Sequence, residues 1–170
     1  MARVLPLVSS SADEAAWQVF LRRRQELTNR MEMATCDGCD GCGMRCTAGF
    51  GVTEVEWRAI QEYLRIQAPE EVQRVRHQQK TVPWVGAEDT GATVTYCRFR
   101  DMERGNCSIY PVRPTICRLF GHTRWLPCPI EAISHYPDGA EAVWENYRRF
   151  PRQTFEEWEQ SVLEPLCPER

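Results

Sequence analysis

Four closely spaced cysteines are the strongest chemical signal in the chain. Spacers of two, two and three residues separate Cys36, Cys39, Cys42 and Cys46. Spacing of the C-x2-C kind lets a short loop direct several thiolates at one metal centre. The glycines between these cysteines allow tight turns and let backbone N–H groups approach the sulfurs. This loop therefore predicts a metal site.

A second group of cysteines begins fifty residues later and is more widely spaced. Nine, nine and ten residues separate Cys97, Cys107, Cys117 and Cys128. Structural zinc and iron–sulfur clusters each commonly take four thiolates. The eight thiols therefore predict either two sites or one four-ligand site with spare thiols, and their spacing leaves open which cysteines share a metal. Cys167 lies outside both groups and is predicted to be a spare thiol.

The composition favours bound metal over a disulfide scaffold. The chain has nine cysteines among 170 residues, an odd number that cannot be fully paired in disulfides. The N-terminal apolar run is too short for a signal peptide, and no stretch is long enough to cross a membrane. We therefore predict a cytoplasmic protein. Thiols stay reduced in that compartment, where clustered cysteines more often bind metal than form disulfides. The net charge of −3 gives no indication of a nucleic-acid partner.

Periodic apolar residues and helix-start signals predict a mainly α fold. The predicted helices lie at about 12–33, 54–67, 69–80, 114–121, 138–149 and 155–164. Thr53 and Glu56 have the spacing of a capping box at the start of the second helix. Residues 81–92 are rich in turn formers and are predicted to be a connecting loop.

The second cysteine group is predicted to lie on a small β-hairpin and on the segments after it. β-Branched and aromatic residues predict strands at 93–99 and about 107–110, joined by a polar turn. Cys117 falls on the short helix that follows. Prolines on both sides of Cys128 predict an irregular loop there.

Together these elements predict one compact domain over residues 1–170, stapled by metal and containing irregular cysteine loops. Its cysteine core spans about 36–128. The helix at 12–33 precedes this core, and the helices at 138–164 follow it. Because the loops between the cysteines have little apolar content, metal removal is predicted to unfold the core.

The sequence resembles the YkgJ-type cysteine-cluster family at several points. The likeness is carried by CDGCGMRC at 39–46, the helix start at 53–60, YCRF at 96–99 and CSIYPVRPTICRLFG at 107–121. It covers about 36–128 and implies a domain that chelates zinc or iron. Arg45 occupies the first position of a cysteine pair in the family pattern. Cys36 lies upstream of that pattern and is a candidate for the missing thiolate.

Two chemistries stay open for the metal. The run from Cys36 to Cys46 matches the bacterial ferredoxin spacing, whose fourth cysteine binds a second cluster. The cysteines from Cys97 onward are too widely spaced to form the second run, so a ferredoxin fold is not predicted. The spacing nevertheless favours an iron–sulfur cluster of the 4Fe–4S type, in electron transfer or in redox support of a partner. Zinc with four thiolates would have a closed coordination shell, and the protein would then be a structural or interaction module without catalysis.

Three further residues are candidates for the surroundings of the site. Arg113 and Arg118 flank Cys117, and their charge would stabilise a negative four-thiolate centre. A surface salt bridge is the alternative role for Arg113. His122 is a candidate extra ligand. No nucleophile is paired with a base, so no catalytic residue is assigned, and the sequence leaves open both enzymatic activity and oligomeric state. We expect a redox or protein partner, and neither nucleic acid nor a membrane.

Overall fold

A computed structural model of the protein describes residues 11–36, 39 and 41–163. Six α-helices lie in this part of the chain: α1 (Ser11–Thr28), α2 (Glu54–Arg65), α3 (Pro69–His77), α4 (Thr115–Leu119), α5 (Ala140–Tyr147) and α6 (Phe155–Leu163). There are also four short strands: β1 (Thr81–Pro83), β2 (Thr93–Thr95), β3 (His122–Thr123) and β4 (Leu126–Pro127). The prediction of a mainly helical fold with little β-structure and irregular cysteine loops is confirmed. Cys167 lies outside the described residues.

The first helix is shorter than predicted. It ends at Thr28 rather than at residue 33, because the Arg30 and Met31 N–H groups bond to carbonyls three residues back and tighten the last turn. A 3₁₀ turn at Met33–Cys36 then leads into the cysteine loop. Buried Met31 fixes this exit against the core, so the chain turns before its first candidate ligand.

The predicted hairpin is wrong in its strand partners. Strand β2 pairs antiparallel with β1, which lies in the segment predicted to be a loop, and Thr81 faces Thr95 with their hydroxyl oxygens 2.9 Å apart. Cross-strand pairs of β-branched residues account for this pairing. The predicted strand at 107–110 is replaced by a turn and a single bridge from Cys107 to Arg100. The polar turn between these two residues is present as predicted.

The second sheet corrects the prediction for the segment before Cys128. Strands β3 and β4 form a two-stranded antiparallel sheet in which His122 faces Pro127. Pro127 occupies the last position of its short strand, where a missing N–H is tolerated. The proline-flanked segment is therefore regular up to the residue before Cys128 and irregular after it.

Two apolar clusters hold the helices together. In the first, Trp17, Phe20 and Leu27 of α1 pack against Val143 and Tyr147 of α5. In the second, the buried members are Ile60, Cys97, Phe99, Ile109 and Phe155. The second cluster contains a cysteine and lies directly beneath the candidate site. No helix within the described ranges is both long and apolar enough to span a bilayer.

Candidate metal centre

All eight candidate cysteines line one cavity of about 350 Å³. The described cysteines are free thiols without a disulfide between them. The folded chain thus brings the loop that ends at Cys46 together with the segment from Cys97 to Cys128. The eight sulfurs are not equivalent neighbours of one another. Their contacts divide them into two groups.

The inner group consists of Cys46, Cys97, Cys107 and Cys117. Cys97 is only 6% exposed within the second apolar cluster, and Cys46 and Cys107 pack against that cluster. The Cys97 N–H donates to the Cys46 carbonyl over 2.8 Å. A hydrogen bond between the side chains of these two residues lowers the pKa of Cys46 and raises that of Cys97.

Cys107 and Cys117 belong with Cys46 by their electrostatic neighbours. Burial and then the Cys46 sulfur raise the pKa of Cys107 to about 11, against the lowering effect of the Ile109 N–H. Burial and then the sulfurs of Cys46 and Cys107 raise the pKa of Cys117. Thiols held protonated by burial and by one another need a compensating cation to ionise together.

The outer group consists of Cys36, Cys39, Cys42 and Cys128. Gly121 lies beside two of them, and a Cβ there would be 3.6 Å from the Cys42 sulfur and 3.9 Å from the Cys128 Cβ. The Cys39 N–H donates to the Cys36 carbonyl over 3.2 Å, so these two cysteines are neighbours. Burial, followed by the sulfurs of Cys36 and Cys128, raises the pKa of Cys42 to about 11.

Backbone N–H groups surround the Cys128 sulfur. Burial alone would raise the pKa of this thiol, but the N–H groups of residues 130–133 bond to the sulfur and lower the pKa below its ordinary value. The Gly41 N–H similarly donates to the Cys39 sulfur over 3.4 Å. Hydrogen bonds of this kind stabilise anionic sulfur and tune the properties of a bound metal.

His122 adjoins the outer group. It is 2% exposed, and its Nε2 lies 3.3 Å from the Cys36 sulfur. Burial and then the positive charge of Arg113 lower its pKa, so the ring is neutral at physiological pH. Nδ1 is buried and has no hydrogen-bond partner among the described atoms. An unpaired acceptor is less costly than an unpaired donor, so the favoured tautomer carries its proton on Nε2 and donates to the Cys36 sulfur.

The two arginines predicted from sequence have different environments. Arg113 stacks on Tyr110, with its guanidinium carbon 3.7 Å from the ring centroid, and it forms no salt bridge with any described residue. Its charge lowers the pKa of thiols in both groups, including Cys36 and Cys107. Arg118 instead donates to the carbonyls of Arg113 and Pro111 over 2.8 and 2.7 Å. Arg118 therefore holds the turn that carries Arg113.

Sequence reasoning missed two cations beside the inner group. Arg100 lies over the Tyr96 ring at 4.9 Å, and both Arg100 and Lys80 lower the pKa of Cys46. Gly43 makes room for Arg100, because a Cβ there would be 1.9 Å from the guanidinium. The available signals were the position of Arg100, three residues after Cys97, and the status of Lys80 as the one lysine in the chain.

A buried carboxylate positions the helix that carries Cys117. Glu56 completes the predicted capping box with Thr53, and its second oxygen accepts from the Thr115 N–H over 2.7 Å and from the Thr115 hydroxyl over 2.8 Å. The Tyr147 hydroxyl also donates to Glu56 over 2.5 Å. One side chain thus joins α2, the start of α4 and α5, and it fixes the direction in which α4 presents its cysteine.

The donor set suits a soft metal, since thiolates select zinc and iron–sulfur clusters. Yet among residues 11–36, 39 and 41–163, no three His, Cys, Asp or Glu side chains are placed to hold a single ion. Four thiolates around one zinc ion would lie within about 4 Å of one another, given a Zn–S bond of about 2.3 Å. The thiols thus surround a wider space than one ion needs.

A family model described as "Putative zinc- or iron-chelating domain" matches residues 36–167. The chain belongs to the CxxCxxCC family. Membership supports metal binding in general, and the matched region includes every cysteine of both groups. No solved structure matches the chain.

The match to the CxxCxxCC family continues beyond the segment from which the sequence likeness was drawn, through α5 and α6. At the position where the likeness lacks a cysteine, Arg45 donates to the Pro127 carbonyl over 3.4 Å. This bond ties the cysteine loop to the residue before Cys128. Arg45 thus connects two segments of the outer group without supplying a sulfur ligand.

Proposed function

We propose that this protein holds iron as an iron–sulfur cluster of the 4Fe–4S type and serves electron transfer or the redox support of a partner protein. The observation that carries the proposal is the shared cavity of about 350 Å³ lined by all eight cysteines. A cluster brings its own sulfides, so its thiolate ligands surround a wider space than those of one ion. This agrees with sulfurs that are not grouped closely enough for a single ion.

The polar surroundings support a redox role. Arg113, Arg100 and Lys80 direct positive charge at the thiols, and backbone N–H groups bond to the sulfurs of Cys39 and Cys128. Net charge and hydrogen bonds to sulfur set the reduction potential of an iron–sulfur cluster. When bound, the cluster supplies the one-electron chemistry. The chain's own groups hold it and stabilise its negative charge.

Zinc is the second candidate, and the Cys36–His122 pair favours it. Sulfur and nitrogen 3.3 Å apart have about the separation expected of two neighbouring ligands on one zinc ion. A zinc ion with a complete set of protein ligands has no open position for a substrate. On this alternative the metal staples the loop to the rest of the fold, and the protein is an interaction module without catalytic activity.

Anaerobic purification with metal and sulfide analysis tests the proposal. We expect a brown protein that contains iron and acid-labile sulfide in equal amounts and a reversible reduction potential. A colourless protein with stoichiometric zinc and no sulfide would overturn the iron–sulfur proposal and support the zinc module. A protein that binds neither metal through sulfur would overturn both.

A further inference from the structure

We infer that the eight cysteines form two separate four-thiolate centres, with the outer group holding one and the inner group holding the other. The inference rests on the proposed function, because it assumes that the thiols bind metal. It goes further by stating how many centres there are and which cysteines share each one. The division runs through the cysteine loop, between Cys42 and Cys46.

The packing of the loop supports this division. Cys46 leaves the loop as an extended segment: Thr47 bridges to Tyr96, and the Cys46 carbonyl accepts from the Cys97 N–H. Cys46 also packs on the second apolar cluster. Cys42 is not part of that cluster and instead lies beside Gly121, which also adjoins Cys128. Four residues of chain are enough to send these neighbouring cysteines to different centres.

Each group is complete with four thiols. The outer group has three thiols from the loop and a fourth from Cys128, which follows the β3–β4 sheet. The His122 ring contacts this group at the Cys36 sulfur. The inner group has one from the loop and three from residues 97–117. Zinc and iron–sulfur centres commonly take four thiolates, so eight thiols exceed the need of any one centre and match the need of two.

The placement of Arg113 fits two neighbouring anionic centres. A four-thiolate centre carries net negative charge, and two such centres in one cavity repel each other. Arg113 lines the same cavity as the eight cysteines, its positive charge lowers the pKa of thiols in both groups, and it forms no salt bridge with a described carboxylate. A cation in this shared cavity offsets the repulsion between the two centres. This also explains why Arg118 clamps the turn on which Arg113 lies.

The ferredoxin-like spacing of the loop also supports a division between Cys42 and Cys46. In two-cluster ferredoxins the fourth cysteine of the run binds the other cluster. Here the remaining ligands of the second centre come from the 97–117 segment rather than from a second run. The absence of a second run in the sequence therefore does not exclude two centres.

Anaerobic reconstitution of the metal-free full-length protein with Fe²⁺ and sulfide tests the partition, since each complete four-thiolate group would hold one 4Fe–4S cluster. We expect about eight iron atoms and about eight acid-labile sulfides per chain, which corresponds to two clusters. The variants Cys42→Ser/Cys128→Ser and Cys107→Ser/Cys117→Ser each remove two thiols from one group. Each should hold about four iron atoms per chain, because the other group is intact.

The matched control removes the same number of thiols across the division. Cys128→Ser/Cys107→Ser leaves three thiols in each group, so neither group keeps its full ligand set, and the iron content should fall well below about four atoms per chain. Reconstitution of the wild-type protein to only about four iron atoms and about four sulfides per chain would overturn the inference, even if the variants fail to fold. Equal losses of iron in the within-group and cross-group variants would also overturn it. A wild-type chain that takes up no iron and sulfide would refute the proposed iron–sulfur function itself.

Discussion

The inner and outer groups contain four thiols each, but different parts of the structure hold them. Three of the four inner cysteines, Cys46, Cys97 and Cys107, belong to or pack against the apolar cluster of Ile60 and Ile109, so they are fixed when that cluster forms. The outer group lies on 3₁₀ turns and a proline-flanked loop, joined by single hydrogen bonds such as that from Arg45 to Pro127. From this difference we expect the fold alone to position the inner group, whereas the outer group would need bound metal to become ordered.

Metal removal should produce the largest effect and should separate the two groups. We expect amide exchange to rise by more than about tenfold in the outer-group segments 33–36, 41–45 and 121–133, because few apolar contacts hold them without metal. The inner-group segment 97–119 should keep most of its protection. Hydrogen-exchange mass spectrometry of metal-loaded and chelator-treated protein measures both. Equal loss in the two groups would contradict the comparison.

The substitution Glu56→Gln should destabilise the fold around the inner group, because Glu56 fixes the helix that carries Cys117. The amide would direct its NH₂ group at one of the donors that now bond to the carboxylate, from Thr115 or from Thr53 and Tyr147. We expect a loss of about 3 kcal/mol in the free energy of unfolding, measured by urea denaturation. The matched control is Glu62→Gln on the same helix, whose side chain is 71% exposed and which should cost less than about 0.5 kcal/mol. Similar losses in both variants would remove Glu56 from this role.

Acid should destabilise the turn between Arg100 and Cys107, because it protonates Asp101 in that turn. The Arg74 guanidinium, followed by Gln78 and two backbone N–H groups, holds the pKa of this buried carboxyl well below its usual range. The carboxylate therefore stabilises the folded state above its unfolded pKa of about 3.9, and this contribution is lost as pH falls toward the lower folded pKa.

The substitution Asp101→Asn should cost about 2 kcal/mol at pH 7 and should reduce the loss of stability below about pH 4. Asp138→Asn, at an exposed position, is the matched control and should leave both quantities unchanged. Urea denaturation of the metal-free variants at several pH values measures the slope. An Asp101→Asn protein with the wild-type acid slope would show that the carboxylate does not titrate on unfolding.

His122→Gln should have the smallest effect and should act on the outer group alone. Loss of one hydrogen bond to the charged Cys36 sulfur should speed metal release from that group to a chelator by about tenfold. Release from the inner group and the total metal bound should not change. His77→Gln, on the exposed end of α3, is the control. If His122→Gln instead lowers the amount of metal bound, the histidine is a ligand rather than a hydrogen-bond donor.

Local signals in the sequence predicted the parts of the fold that depend on local interactions. The capping box of Thr53 and Glu56 placed the start of α2 at the right residue, because both partners lie within one turn. The β1–β2 pairing was missed because the strands are stabilised by cross-strand contacts, such as that of Thr81 with Thr95, and not by contacts with their neighbours in sequence. Strand partners are long-range contacts that single-sequence patterns do not contain.

The candidate site likewise has features that the sequence predicted and features that depend on long-range contacts. Cysteine spacing identified all eight thiols that line the cavity, because the residue type itself carries the chemistry. Spacing left open which cysteines share a metal, whereas the hydrogen bond from the Cys97 N–H connects Cys46 to the inner group. Arg100 was missed because its approach depends on the absence of a side chain at Gly43, a contact between segments more than fifty residues apart.

X-ray absorption spectroscopy of the anaerobically purified protein tests metal binding by the cysteines most directly, because it reports the atoms bound to the metal. We predict a first shell dominated by sulfur at about 2.3 Å, from the cysteine thiolates together with the sulfides of the cluster. A first shell of oxygen and nitrogen at about 2.0–2.2 Å, without sulfur, would contradict metal binding by these cysteines.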